Sequence, residues 1–184
     1  MADTGWVDPG TMGENSSVGS YGWTSLNNAK ALGGGTAESE IEDAREGCYY
    51  IVATNYDFSS IPAGSTINGI EARCRCSESG SGSDIIFNEW KMYVAGSLSA
   101  YSGLGGLHDD ITNVLFDYDI GGALNDWGFS AVALSDVQHS GFGHAVELLD
   151  DGAGSGDIAY VDHMPMKIHY TAPAGGSNLI WPIT

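Results

Sequence analysis

Ile67-Asn68-Gly69-Ile70-Glu71-Ala72-Arg73-Cys74-Arg75-Cys76-Ser77 is the stretch that decides the fold. From Ile70 onward the small and apolar Ile70, Ala72, Cys74 and Cys76 alternate with the polar Glu71, Arg73, Arg75 and Ser77. A period of two is the mark of a strand with one buried and one wet face. Ile67 has the opposite parity to Ile70, so if both face a core, one residue must be absorbed between them. That predicts a β-bulge at Asn68-Gly69, with asparagine or glycine at positive φ. Just upstream, Ile61-Pro62-Ala63-Gly64 puts proline and glycine where a tight turn wants them. Before that turn, residues 48–58 are rich in aromatic and β-branched side chains and free of glycine and proline, which predicts a second strand.

The same pattern extends in both directions. Ala37, Ser39 and Ile41 alternate with Glu38, Glu40 and Glu42. A strand and a short acidic helix closed by Gly47 both remain open there. Downstream, a strand is expected over 85–94 with Ile86, Trp90, Met92 and Val94 inward. Another has Val114, Phe116, Tyr118 and Ile120 on one face, and a third lies near 130–133 before a turn at 134–137. Phe142, His144, Val146 and Leu148 then alternate, and a last strand spans 158–171. Pro165 lies inside that last strand and cannot donate to a ladder, so the strand should be an edge or be bulged there. About eight short strands and hardly any helix predict an all-β protein: an antiparallel β-sandwich, jelly-roll-like, over residues 21–171.

Both ends read as extensions of this body. Residues 1–20 are polar and Gly/Ser-rich and predict an N-terminal arm carrying Trp6. Residues 172–184 read as a tether ending in an apolar hook, Leu179-Ile180-Trp181-Pro182-Ile183. The hook is too apolar to leave in water, so it either packs on its own domain or docks on a neighbour. Trp6, Leu179, Ile180, Trp181 and Ile183 are therefore the candidate interface residues.

Six Lys and Arg stand against 24 Asp and Glu in 184 residues, a net charge of −18. Such a chain lacks the clustered cations that nucleic acid or an anionic membrane surface requires. It contains no apolar run of about 18 residues, the length of a membrane span, and its first residues lack the pattern of a signal peptide. The expectation is a chain made in a cytoplasm, with no nucleic-acid and no membrane partner. Cys48, Cys74 and Cys76 are an odd count, and Cys74 and Cys76 on one strand face are too far apart for easy bridging. All three are expected as buried free thiols.

No motif carries catalysis. The glycines, 27 in all, form neither a phosphate loop nor a dinucleotide fingerprint. Asp150 and Asp151 with Asp157 could hold a hard cation, but a solvated hairpin loop around Gly152-Ala153-Gly154-Ser155-Gly156 is the plainer reading. His108-Asp109-Asp110 reads as an ordinary loop cluster. His163 and His169 stand about 20 Å apart along a strand and cannot share a metal. His144 reads as a satisfied core or interface histidine. Asp117 and Asp119 have the spacing of a hydrolytic carboxylate pair, a coincidence to be expected in so acidic a chain. Tyr21, Trp23, Tyr49 and Tyr101 could stack on sugars, or simply cover the ends of the sandwich. The sequence therefore predicts no enzyme, no catalytic residue, no cofactor and no metal site.

Several strings taken together resemble a family: 58–70, containing Ile61-Pro62-Ala63-Gly64 and Asn68-Gly69-Ile70; Asn125-Asp126-Trp127-Gly128-Phe129-Ser130; Phe142-Gly143; and Val161-Asp162-His163-Met164 leading to Ile168-His169-Tyr170-Thr171. In order and spacing they are similar to β-sandwich virion proteins of tailed bacteriophages, and the likeness covers about residues 48–171. The chain departs from that pattern at Pro165 and His169. The resemblance implies a non-enzymatic structural protein of the virion, assembled in the bacterial cytoplasm, that decorates a capsid or belongs to a head fibre. It would dock through its termini on other virion proteins, the major capsid protein or tail proteins, as a homo-oligomer. The alternative is a tail-associated receptor-binding or carbohydrate-binding module that grips host glycans.

Overall fold

The computed structural model describes residues 1–79, 85–94, 97–104, 110–129, 131–152 and 156–174. Among them are eleven strands, β1 (Ala2–Asp3), β2 (Thr11–Asn15), β3 (Ala37–Ile41), β4 (Tyr50–Thr54), β5 (Thr66–Glu78), β6 (Ile85–Val94), β7 (Ser97–Ser102), β8 (Phe116–Gly121), β9 (Gly143–Asp150), β10 (Asp157–His163) and β11 (Met166–Thr171). A 3-10 turn spans Leu26–Lys30, and a single helical turn, α1, spans Leu134–Val137 where a turn was expected. The protein is an all-β sandwich of two antiparallel sheets, with more strands than the eight read from sequence.

The first sheet is built around β5. One flank of this long strand carries β11 along residues 66–72 and β10 along 75–78, with β8 on the other flank along 71–76. β3 extends the sheet beyond β10, and β1 extends it beyond β11. The second sheet runs β2-β4-β9-β6-β7. Between them lies one core in which Trp90, Trp127, Phe58, Phe87, Phe142 and several isoleucines are wholly buried.

The alternation in β5 holds. Ile70, Ala72, Cys74 and Cys76 are buried, and Arg73 and Arg75 face outward. The bulge also lies where parity demands it, since His169 pairs with Gly69 and Tyr170 with Ile67, leaving Asn68 as the extra residue. Its cause differs from the expectation, for neither Asn68 nor Gly69 has a positive φ. Gly69 is glycine because the next loop crosses it: a Cβ there would stand 2.3 Å from the Gly122 carbonyl oxygen and 2.5 Å from the Ala123 carbonyl carbon. The turn before β5 forms as read, with the Ser65 amide donating to the Pro62 carbonyl (3.1 Å) and Gly64 at φ 80°. The three cysteines are free and buried.

Other expectations are corrected. Residues 1–20 do not form a free arm. Ala2 and Asp3 pair with β11, the Val7 and Met166 backbones exchange hydrogen bonds, and β2 adds to β4 with Met12 buried. Polar composition misled here because edge strands bury only one side chain in two or fewer. The acidic stretch at 37–41 is a strand, with Ala37, Ser39 and Ile41 buried.

The strand expected over 48–58 is cut to β4 by Asn55, whose φ of 60° turns the chain. In β6 a register shift between Phe87 and Glu89 changes the parity, so Ile85 and Phe87, and not Ile86, join Trp90 and Met92 in the main core. Residues 131–133 are irregular. The strand expected over 158–171 divides at Met164-Pro165 into β10 and β11. Each is flanked on both sides, so Pro165 marks a break and not an edge. Its carbonyl accepts from the Arg73 amide (3.1 Å), carrying the ladder across the gap without the missing donor.

A candidate interaction surface

The outer face of the first sheet gathers three of the chain's six Lys and Arg side chains, Arg73, Arg75 and Lys167. Arg73, on β5, places Nε and Nη2 on the two oxygens of Asp119 (2.6 and 2.7 Å) and Nη1 on Asp117 (2.7 Å). Two residues along, Arg75 reaches Asp117 (2.9 Å) and Asp162 (3.1 Å). The strand period fixes this ladder, because Arg73 and Arg75 stand opposite Asp119 and Asp117 in register. The hydrogen bonds that the two guanidinium groups donate to Asp119 and Asp117 push them above their ordinary range. The carboxylates that matched a hydrolytic pair are thus engaged in charge-assisted hydrogen bonds, Asp119 with Arg73 and Asp117 with both Arg73 and Arg75.

Beside this ladder, Glu71 accepts from Lys167 (3.0 Å) and lies 3.1 Å from His169 Nε2. Burial pushes the Glu71 carboxyl up, but the hydrogen bonds and charges of Lys167 and His169 outweigh it and hold the group below the usual carboxylate range. Trp6 closes the cluster. The Arg73 guanidinium carbon stands 4.4 Å and Lys167 Nζ 4.2 Å from its ring centroid. Each such contact contributes about 0.5–1 kcal/mol at a partly exposed site. Trp6 is thus engaged within its own chain. Leu179, Ile180, Trp181 and Ile183, the other candidate interface residues, lie outside the described residues.

The remaining candidates are dispersed. His144 is wholly buried, accepting at Nδ1 from Trp90 Nε1 (3.0 Å) with Nε2 facing the Met164 carbonyl (3.3 Å). Both ring nitrogens are used by a neutral tautomer, and burial pushes its pKa down to about 4. His163 pairs with Asp8 at 2.8 Å. Asp150 is buried and accepts from the Gly152 amide (2.8 Å), while Asp157 opens β10. His108, Asp109 and residues 153–155 lie outside the described residues, and among the described ones no group of three or more His, Cys, Asp or Glu side chains is placed to hold a metal ion. Trp23 is buried and donates to the Tyr49 carbonyl (2.7 Å), Tyr21 donates to Asp43 (2.7 Å), and Tyr101 lies apart on β7.

What the sequence reading missed is an apolar rim along β8. Val114 is 63% exposed, Phe116 56% and Leu115 38%, and Leu32 is 66% exposed. Leu32 and Leu115 share a shallow cleft with Arg75 and Asp162, and Phe116 borders an aromatic cleft of about 270 Å³ with Phe87, Trp90 and Tyr118. Among the described residues β8 pairs only with β5, so that no other described strand covers its far edge. The signal was present in the run Val114-Leu115-Phe116, since a pleated strand cannot turn three successive apolar residues to one face. No protein-family model matches the chain, and no match is found among characterised proteins.

Proposed function

We propose that this chain is a non-enzymatic structural protein of a tailed-bacteriophage virion, a capsid decoration or head-fibre component that works as a homo-oligomer. The observation that carries the reading is the exposure of Leu32, Val114, Leu115 and Phe116 beside a sheet edge that no other described strand covers, on a chain of net charge −18. Exposed large apolar side chains suit a partner surface, and a strand edge without a partner invites pairing unless something covers it. The acidic charge favours a place on the outside of a shell, away from packaged DNA. The likeness at 58–70 and 125–130 points the same way. With residues 1–20 woven into both sheets, the docking surface moves from the N-terminus to the β8 rim.

Imaging of intact particles with mass spectrometry of their proteins tests the proposal. The expected result is many copies on the shell, with Leu115→Asp and Phe116→Asp folded but lost from particles. Absence from virions, or a location within the packaged genome, would overturn it. The aromatic cleft beside Phe116 favours one second reading, a module that stacks on host glycans. Saturable sugar binding abolished by Tyr118→Ala would select it.

A further inference from the structure

The chain leaves the sandwich beside a groove that it can fill itself. β11 ends at Thr171, which pairs with Thr66 at the start of β5. Two residues later Pro173 passes over Gly64, close enough that a Cβ on Gly64 would lie 3.7 Å from the proline Cβ. On the opposite flank of β5, the strand is paired with β8 only from Glu71 to Cys76. Below Glu71 the loop after β8 closes on Ile70, whose amide donates to the Asn125 carbonyl (2.9 Å) and whose carbonyl accepts from the Gly122 amide (3.0 Å). Between this loop and the start of β5 lies a groove of about 260 Å³, on the scale of a large side chain. Its apolar lining is Ile67, Ile70, Leu124, Ala131 and Val132, and Leu124 is 79% exposed.

Residues 175–184 follow the last described position and contain Leu179-Ile180-Trp181-Pro182-Ile183. Ala174 and Leu179 are five positions apart, so the intervening chain spans at most ~17 Å. Thr66, which lines the groove, is two positions from Gly64, over which Pro173 already lies. The groove is within reach. The β8 rim is not: Phe116 pairs with Cys76, ten positions along β5 from Thr66, or about 33 Å at the rise of a strand. A tethered segment sees its own groove at an effective concentration on the order of millimolar. Copies of a chain with a net charge of −18 meanwhile repel one another, which disfavours exchange.

We propose that residues 179–183 seat in this groove of their own chain, covering Leu124 and Val132 with the side chains of Trp181 and its apolar neighbours. The proposal is independent of the virion reading. Disulfide trapping in the full chain tests it, because the three native thiols are buried and do not compete. Leu124→Cys is combined in turn with Leu179→Cys, Trp181→Cys and Ile183→Cys under mild oxidation at micromolar protein. The expected result is an intrachain disulfide in at least one pair. Disulfides found only between chains would place the segment on a second copy and overturn the proposal, as would failure of all three pairs. A second readout needs no new cysteines: the full-length Trp181→Ser/Ile183→Ser variant should exchange amide hydrogens at 66–70 and 122–126 roughly fivefold faster or more, with the rest of the sandwich unchanged. Equal protection in variant and wild type would overturn it.

Discussion

At the scale of single residues, the buried histidine carries the clearest consequence. His144 is neutral in the folded protein, with its pKa lowered from 6.5 to about 4 by burial. An unfolded chain protonates this ring below about pH 6.5, so the unfolded state binds the extra proton first. The contribution of His144 is therefore complete above that pH and is lost as the pH falls toward 4, by about 3 kcal/mol at ~1.4 kcal/mol per unit. Urea unfolding near pH 7 and near pH 4 should show this loss, and His144→Gln should lack that part of the slope. Gly69 gives a second prediction. With backbone 2.3 Å from where its Cβ would sit, Gly69→Ala should cost about 1–3 kcal/mol, read from the shift in the urea midpoint. The His144 environment was legible in the alternation around it. The reason for Gly69 was not, because the backbone that crosses it lies more than fifty positions further along the chain.

At the scale of elements, the arginine ladder separates two kinds of ion pair. Asp119 is half-exposed, and Asp119→Asn should cost less than about 1 kcal/mol. Asp162 is different, with its side chain only 6% exposed and bound to Arg75 and to the Gly33 amide. Arg75→Ala leaves that carboxylate short of its cation and should cost more, on the order of 2 kcal/mol, in the same unfolding assay. The N-terminal strands supply a third comparison. Removing residues 1–15 strips β1 from one sheet and β2 from the other, and should lower the thermal midpoint by several degrees or abolish cooperative melting, followed by circular dichroism. The alternation in β5 and β9 made them legible from sequence, whereas at β3 it left a strand and a short acidic helix both open. The short β1 and β2 were not legible, because their pairing rests on partners distant in sequence and leaves almost no apolar pattern. Pro165 was legible as a disturbance, but its kind was set by the Arg73 amide opposite.

At the scale of the whole molecule, charge and the apolar rim act against each other. Eighteen excess negative charges repel neighbouring copies at low ionic strength, whereas the rim gains by burial. Self-association measured by light scattering should therefore strengthen as salt or divalent cation is added, and Leu115→Asp should remove that response. Stronger association at very low salt would contradict the balance. The charge and the sandwich were both readable from the chain, but the rim was hidden because Phe116 looked like a core position until β8 was placed at an edge that no other described strand covers.

The sheet that closes on β1 also sets an order of events during synthesis. Thr4 and Ile168, joined by a hydrogen bond, lie 164 positions apart, so the opening residues emerge from the ribosome long before their partners exist. Until then β1 has no strand to pair with, and long-range closures of this kind are slow and exposed to wrong pairing. Translation must run nearly through the described chain before this edge can be sealed.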